Sequence, residues 1–190
     1  MAWTRMVAPE KVGAELEPLY ARMRARSSRG QVSNLWQACA PDPAGLATLY
    51  AHYEALMADP APLSAAQAEA IALVVSATNG CAYCVAHHGP RYAKACGDEP
   101  LARAVALDYR EANLPARDRV LLDCAVALTC EPAERKQEDV ERLREYGFDD
   151  LAILKATEIA ALYNLINRIV CALGIELEPG LAAWEFRAQR

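Results

Sequence analysis

What most constrains the fold is how the apolar residues are spaced. Between the Gly and Pro breaks they recur at three- and four-residue intervals, and nowhere do they alternate over the length of a strand. Val12, Leu16, Leu19, Tyr20 and Met23 share one face of a helix expected over 9–27, which Ser28-Arg29-Gly30 ends. A short segment over 32–40 closes at Pro41-Asp42-Pro43. Leu46, Leu49, Tyr50, Tyr53, Leu56 and Met57 mark a second long helix over 44–58, with His52 off its apolar stripe and read as exposed. Asp59-Pro60-Ala61-Pro62 then links to a helix over 67–78, where Ser64 and Gln67 have the spacing of a capping box. Asn79-Gly80 breaks that helix, and Asn79 is a candidate cap for the next, over 81–95. Further helices are expected over 99–112, 117–129, 134–146 and 151–173, the last capped by Phe148-Asp149-Asp150. The pattern predicts an all-α bundle and a single domain over 1–190, with N-terminal helices over 9–58, a central region over 62–96 and C-terminal helices over 99–173. Trp184 and Phe186 in the tail are candidates for packing on a neighbour.

Composition narrows the function classes. With 190 residues, 54% of them hydrophobic, the chain can bury one sizeable core. A net charge of −5 and the lack of a basic stripe argue against nucleic acid as a partner. Arg22, Arg24, Arg26 and Arg29 form one local cluster, read as a solvated helix end. Met1 to Val12 has no apolar core of a signal peptide. The longest apolar run, Leu151 to Ile175, is interrupted by Lys155, Glu158 and Arg168, so it reads as a core helix and not a membrane span. Seven cysteines, an odd number without a secretory signal, suit a cytoplasmic protein with mostly reduced thiols. Of these, Cys39, Cys96, Cys124, Cys130 and Cys171 fall mostly on apolar helix faces and are expected to be buried small hydrophobes.

The chemistry concentrates between Glu69 and Cys96. Two of the three histidines lie there, beside a Cys-x-x-Cys pair, inside an otherwise apolar helical pattern. On one helix Cys81, Cys84 and His88 stand at i, i+3 and i+7, within roughly 60° of one another, and His87 borders that face. Thiols near a helix N-terminus are favoured as thiolates. An imidazole beside them can take the proton, and a second thiol one turn away can close a disulfide. Leu73, Val74 and Val85 flank these residues and are candidates for lining a pocket or for plain core.

Other readings fit the spacing less well. Haem attachment needs Cys-x-x-Cys-His, and here Val85 follows Cys84. A structural zinc site draws four ligands from two elements, whereas Cys81, Cys84, His87 and His88 lie on one helix without a second Cys-x-x-Cys. No metal or cofactor is therefore expected. There is no G-x-G-x-x-G, P-loop or G-x-S-x-G.

Glu69, Cys81 twelve positions on, Cys84, and His88 four further resemble the core motif of the alkylhydroperoxidase D family. The frame Asn79-x-Cys81-x-Tyr83-Cys84-x-x-His87-His88 is still closer to the peroxidase-related branch of that superfamily, which includes the carboxymuconolactone decarboxylases. The resemblance extends more loosely from Asn34 to Arg168 and takes in Pro62-Leu63-Ser64 and Asn167-Arg168.

The resemblance implies an all-α fold, a homo-oligomer (dimer, trimer or hexamer) and thiol-dependent reduction of a small hydroperoxide. Cys84 would be the peroxidatic cysteine, Cys81 its resolving partner, and Glu69 with His88 the proton relay. The thiols would be restored by an external dithiol, thioredoxin-like or lipoyl. One position departs from the family: Tyr83 stands where its best-known members have a histidine, with His87 nearby as a substitute. A tyrosine, with a pKa of about 10, relays protons poorly near pH 7. Helix-dipole logic alone favours Cys81 as the nucleophile, whereas closeness to both histidines favours Cys84. The alternatives are a disulfide reductase or redox sensor without peroxide turnover, and an oligomer that holds a metal at the cysteines and histidines.

Overall fold

Proline and glycine punctuation sets the helix ends in the computed structural model, which describes residues 2–188. Its helices are α1 (Glu17–Arg26), α2 (Asn34–Cys39), α3 (Pro43–Met57), α4 (Ala65–Thr78), α5 (Ala82–Cys96), α6 (Glu99–Asp108), α7 (Ala116–Cys130), α8 (Gln137–Glu145) and α9 (Asp150–Ala172). No strand occurs among the described residues, so the fold is all-α as expected. Two expected helices begin late. The one expected over 9–27 starts at Glu17, after a separate 3-10 turn at Pro9–Lys11. Pro18 explains this, because its ring tolerates only the first turn of a helix. The charged helix α8 likewise starts after a 3-10 turn at Pro132–Glu134.

The bundle is built around α4. Its sequence is apolar on nearly every side, and Ile71, Ala72, Leu73, Val74, Val75 and Ala77 are fully buried. α5, α6, α7 and α9 pack against it. Its start is fixed as the sequence predicts: Gln67 N–H donates to Ser64 Oγ at 3.1 Å, and Ser64 N–H donates to Gln67 Oε1 at 2.9 Å. Gln67 Nε2 also donates to Asp118 Oδ1 at 2.7 Å, which ties this cap to α7. The long helix α9 opens on Asp149, whose carboxylate accepts from Ala152 N–H at 2.8 Å. Among the described residues, no helix is long and apolar enough to cross a membrane.

Beyond α9 the described residues, up to 188, have no regular structure, yet they are firmly placed. Arg29 Nη2 donates to Pro179 O at 2.7 Å, and Arg187 N–H donates to Ala106 O at 3.1 Å. Trp184 lies on α5 against Gly89, where an added Cβ would fall 2.6 Å from the indole ring. The Arg103 guanidinium covers the same indole, 4.2 Å from its centroid. Trp184 therefore packs on its own chain. The rest of the basic cluster is paired on the surface, Arg24 with Glu17 and Arg22 and Arg26 with Glu54.

Candidate active site

A sharp corner between α4 and α5 places the thiols. Gly80 makes the turn with φ at +69°, a conformation side chains disfavour, and Cys81 N–H then donates to Ser76 O at 2.9 Å. Cys81 itself is the N-cap residue of α5. Asn79 does not cap α5: it ends α4, and its amide donates across the bundle to Asn164 Oδ1 at 3.1 Å and Asn167 Oδ1 at 2.9 Å. Cys81 and Cys84 are free thiols with Sγ atoms 2.9 Å apart, and both are buried, 1% and 2% exposed.

The two sulfurs sit in different electrostatic surroundings. Hydrogen bonding from the Cys84 thiol draws Cys81 below the usual thiol range against the cost of burial, helped by Cys171 and Asn167. Burial pushes Cys84 well above that range, and the adjoining Cys81 sulfur adds to it. Of the two coupled thiols, Cys81 therefore gives up its proton more readily and Cys84 holds its proton longer. Asn167, 1% exposed, sits beneath both sulfurs, with its Nδ2 donating to Ser76 Oγ at 3.1 Å. Cys171, one turn further along α9, is exposed and held up at about 11 by partial burial and by the neighbouring Cys81.

Glu69 and His88 meet as the motif requires. His88 Nδ1 donates to Glu69 Oε2 at 2.7 Å, and the ring is buried. Burial lowers the His88 pKa, while Glu69 opposes the shift. The ring is therefore neutral near pH 7, with Nε2 open to accept a proton. The Tyr163 ring meets the imidazole edge-on, 4.5 Å between centroids.

The other histidine is engaged elsewhere. His87 Nε2 donates to Glu178 Oε2 at 3.0 Å, and the Tyr83 hydroxyl donates to Glu178 Oε1 at 2.6 Å. Asn34 N–H, at the start of α2, donates to the same Oε1 at 2.6 Å, and Leu35 N–H donates to the Tyr83 oxygen at 3.2 Å. Burial alone would raise the Glu178 carboxyl, but His87 and Tyr83 bring it down to about 2. Burial and this carboxylate together push Tyr83 far above its usual value, so it stays a protonated donor. No signal in the sequence marked Glu178, which lies in irregular chain before Pro179-Gly180.

These groups converge on a small cavity of about 40 Å³ lined by Cys84, His87, His88, Tyr83, Tyr163 and Trp36, among others. Glu69 adjoins it through His88. Cys84, not Cys81, faces this space. Leu73, Val74 and Val85 are fully buried core and do not line it. The remaining cysteines depart from expectation: Cys130 and Cys171 are exposed, and Cys39, Cys96 and Cys124 are partly so. Each lies near a helix end or on a helix rim, where apolar spacing alone does not guarantee burial. His52 is exposed, as read from its helix face. Among the described residues, no group of three His, Cys, Asp or Glu side chains is placed to hold a metal ion.

Comparison with known proteins agrees with this fold. The sequence profile of the carboxymuconolactone decarboxylase family matches residues 43–104. No curated protein sequence matches the chain. An uncharacterized peroxidase-related protein from Silicibacter sp. TM1040 is 32% identical over 89% of this chain and 87% of its own, with a TM-score of 0.83. An uncharacterized peroxidase-related protein of alkylhydroperoxidase AhpD-core type from Ralstonia eutropha JMP134 is 26% identical over 95% of this chain and 94% of its own, with a TM-score of 0.87. A debrominase solved with a tribromopyrrole shares the fold at 19% identity, covering 94% of this chain and 95% of its own with a TM-score of 0.76.

Proposed function

Because the chain belongs to the alkylhydroperoxidase D-like and carboxymuconolactone decarboxylase superfamily, in its peroxidase-related branch, we propose that it is a thiol-dependent hydroperoxide reductase. The observation that carries this reading is two free sulfurs 2.9 Å apart, with Cys84 facing a cavity that also holds His88, itself bonded to Glu69.

Cys84 is the peroxidatic thiol. Its proton passes to the Cys81 thiolate, and the Cys84 sulfur attacks the distal oxygen of the hydroperoxide. The O–O bond breaks, giving a sulfenic acid on Cys84 and an alkoxide. His88 takes up a proton through its open Nε2, with Glu69 steadying the cation, and hands it to the alkoxide. Cys81 loses its proton along the same route and attacks the sulfenic sulfur. The hydroxide released is protonated to water. The whole sequence consumes the one proton shared by the thiols, the hydroperoxide and one proton from solvent, and yields disulfide, alcohol and water. An external dithiol restores both thiols.

Tyr83 and His87 have a different task. Fixed by Glu178, they form the rim of the cavity and hold α2 against α5. The departure from histidine at Tyr83 then removes a relay residue without removing the relay, since Glu69 and His88 do not pass through it.

Peroxide consumption by wild type and by Cys84→Ser, with a dithiol reductant, tests this function. Turnover is expected in the wild type, with loss of two thiols per chain when peroxide is added without the reductant, and neither in Cys84→Ser. A wild type whose thiols close to a disulfide without turning over peroxide would make it a disulfide reductase or sensor. A homo-oligomer is part of the same proposal. Leu151, Leu154 and Leu165 are exposed on one side of α9, within roughly 60° of each other, and supply an apolar face for it. Sedimentation of Leu154→Glu against wild type checks that assembly, which the substitution should weaken.

A further inference from the structure

Given the hydroperoxide reductase reading, Tyr163 still has no task. Tyr163 comes from the middle of α9, is 1% exposed and lines the cavity beside Cys84 and His88. Its hydroxyl is fully buried and has no hydrogen-bond partner. A buried polar group without a partner is costly to fold, so such groups are rare and point to a missing ligand. Phenylalanine would fill the same space without that cost. Tyr163 stands among the reacting groups: its ring meets the His88 imidazole 4.5 Å between centroids and lines the cavity with Cys84, and the charges of Glu69 and Arg91 bear on its hydroxyl. No hydrogen bond joins it to Tyr53, whose oxygen accepts from Arg91 Nη1 at 3.1 Å.

We propose that the Tyr163 hydroxyl is a catalytic donor that binds the hydroperoxide through its proximal oxygen and stabilises the alkoxide formed there. The cavity has the volume of one small guest, and the unpartnered O–H is a donor free to bind it. In the reaction the Cys84 lone pair forms the S–O bond. The O–O bond breaks, and its electron pair moves to the proximal oxygen, where charge develops. Tyr163 donates a hydrogen bond to that charge but keeps its proton. Burial holds its pKa well above the usual phenol range, so the proton that completes the alcohol comes from His88. The donor is already desolvated and directed before the charge appears, and that arrangement is what gives a single hydrogen bond its catalytic effect.

The same reasoning separates Tyr163 from a packing residue. Tyr163→Phe removes only the unpartnered oxygen, so the folded protein should melt at the same temperature or higher. The peroxide kcat/KM should nevertheless fall by about tenfold to a hundredfold. Closure of the Cys81–Cys84 disulfide by diamide, which needs no alkoxide, should keep its wild-type rate. A kcat/KM equal to wild type overturns the proposal, and so does an equal loss in the diamide reaction, since that marks a disturbed thiol pair. If the wild type itself consumes no peroxide, the functional reading fails first, and a higher melting temperature in Tyr163→Phe then reports only the relieved hydroxyl.

Discussion

The Tyr83 hydroxyl donates to the Glu178 carboxylate at 2.6 Å, across 95 positions of sequence. The same carboxylate holds His87 and the backbone of Asn34. Two adjacent histidines are thus assigned to different acids, His87 to Glu178 and His88 to Glu69. In the proposed mechanism His88 carries protons, whereas His87 belongs to the frame around it.

Glu178 makes stability depend on pH. Its folded-state pKa, about 2, lies below its unfolded value of 4.5, so its contribution is complete above the unfolded value and is lost as pH falls through that window. The contribution is on the order of 2–3 kcal/mol. Thermal melts from neutral to strongly acidic pH should show wild type losing stability in this range. Glu178→Gln should begin less stable and lose less there.

Glu69→Gln should move the acidic limb of the activity profile. Glu69 raises the His88 pKa against the larger effect of burial, so removing its charge lets His88 fall further. The acidic limb of peroxide kcat/KM should shift to lower pH, with a loss in rate of about a hundredfold at neutral pH. A limb that stays in place would separate His88 from the rate-determining proton transfer.

Asn167→Ala should act on both stability and chemistry. The amide bonds Ser76 and Asn79 and helps hold both thiols down. Its loss leaves buried polar partners unpaired, at a cost of about 1–3 kcal/mol. The thiolate absorbance of Cys81 should also titrate at higher pH than in wild type, which a purely structural role would not cause.

Gly89→Ala should release the tail. The new methyl would collide with the Trp184 indole, and helix α5 offers no room to retreat. We expect a loss of about 1–3 kcal/mol, a changed tryptophan emission, and proteolysis beginning beyond Ile175. Activity should fall with it, since Glu178 lies on the loosened segment.

Much of the fold was legible because its signals are local. The Ser64 and Gln67 cap, the Asn79-Gly80 break and the spacing of Cys81, Cys84 and His88 all act within a few turns of helix, and the structure keeps each of them. The pairing of Glu69 with His88 was also readable, because the two flank one corner and the family motif links them. Glu178 was not, since it owes its place to a tail with no periodicity and to partners on α2 and α5. Asn79 misled for the same reason: its capping chemistry suits α5, but a bond across the bundle to α9 outcompetes it. Tyr163 reads as one more apolar position of α9, because only the surroundings of its oxygen set it apart.

Burial of the two sulfurs has a consequence for the return half of any cycle. A dithiol on a protein side arm is larger than the space of about 40 Å³ beside Cys84. If an external dithiol restores the pair as proposed, it must reach sulfurs that are 1% and 2% exposed, so regeneration would be paced by how often the segments covering them open.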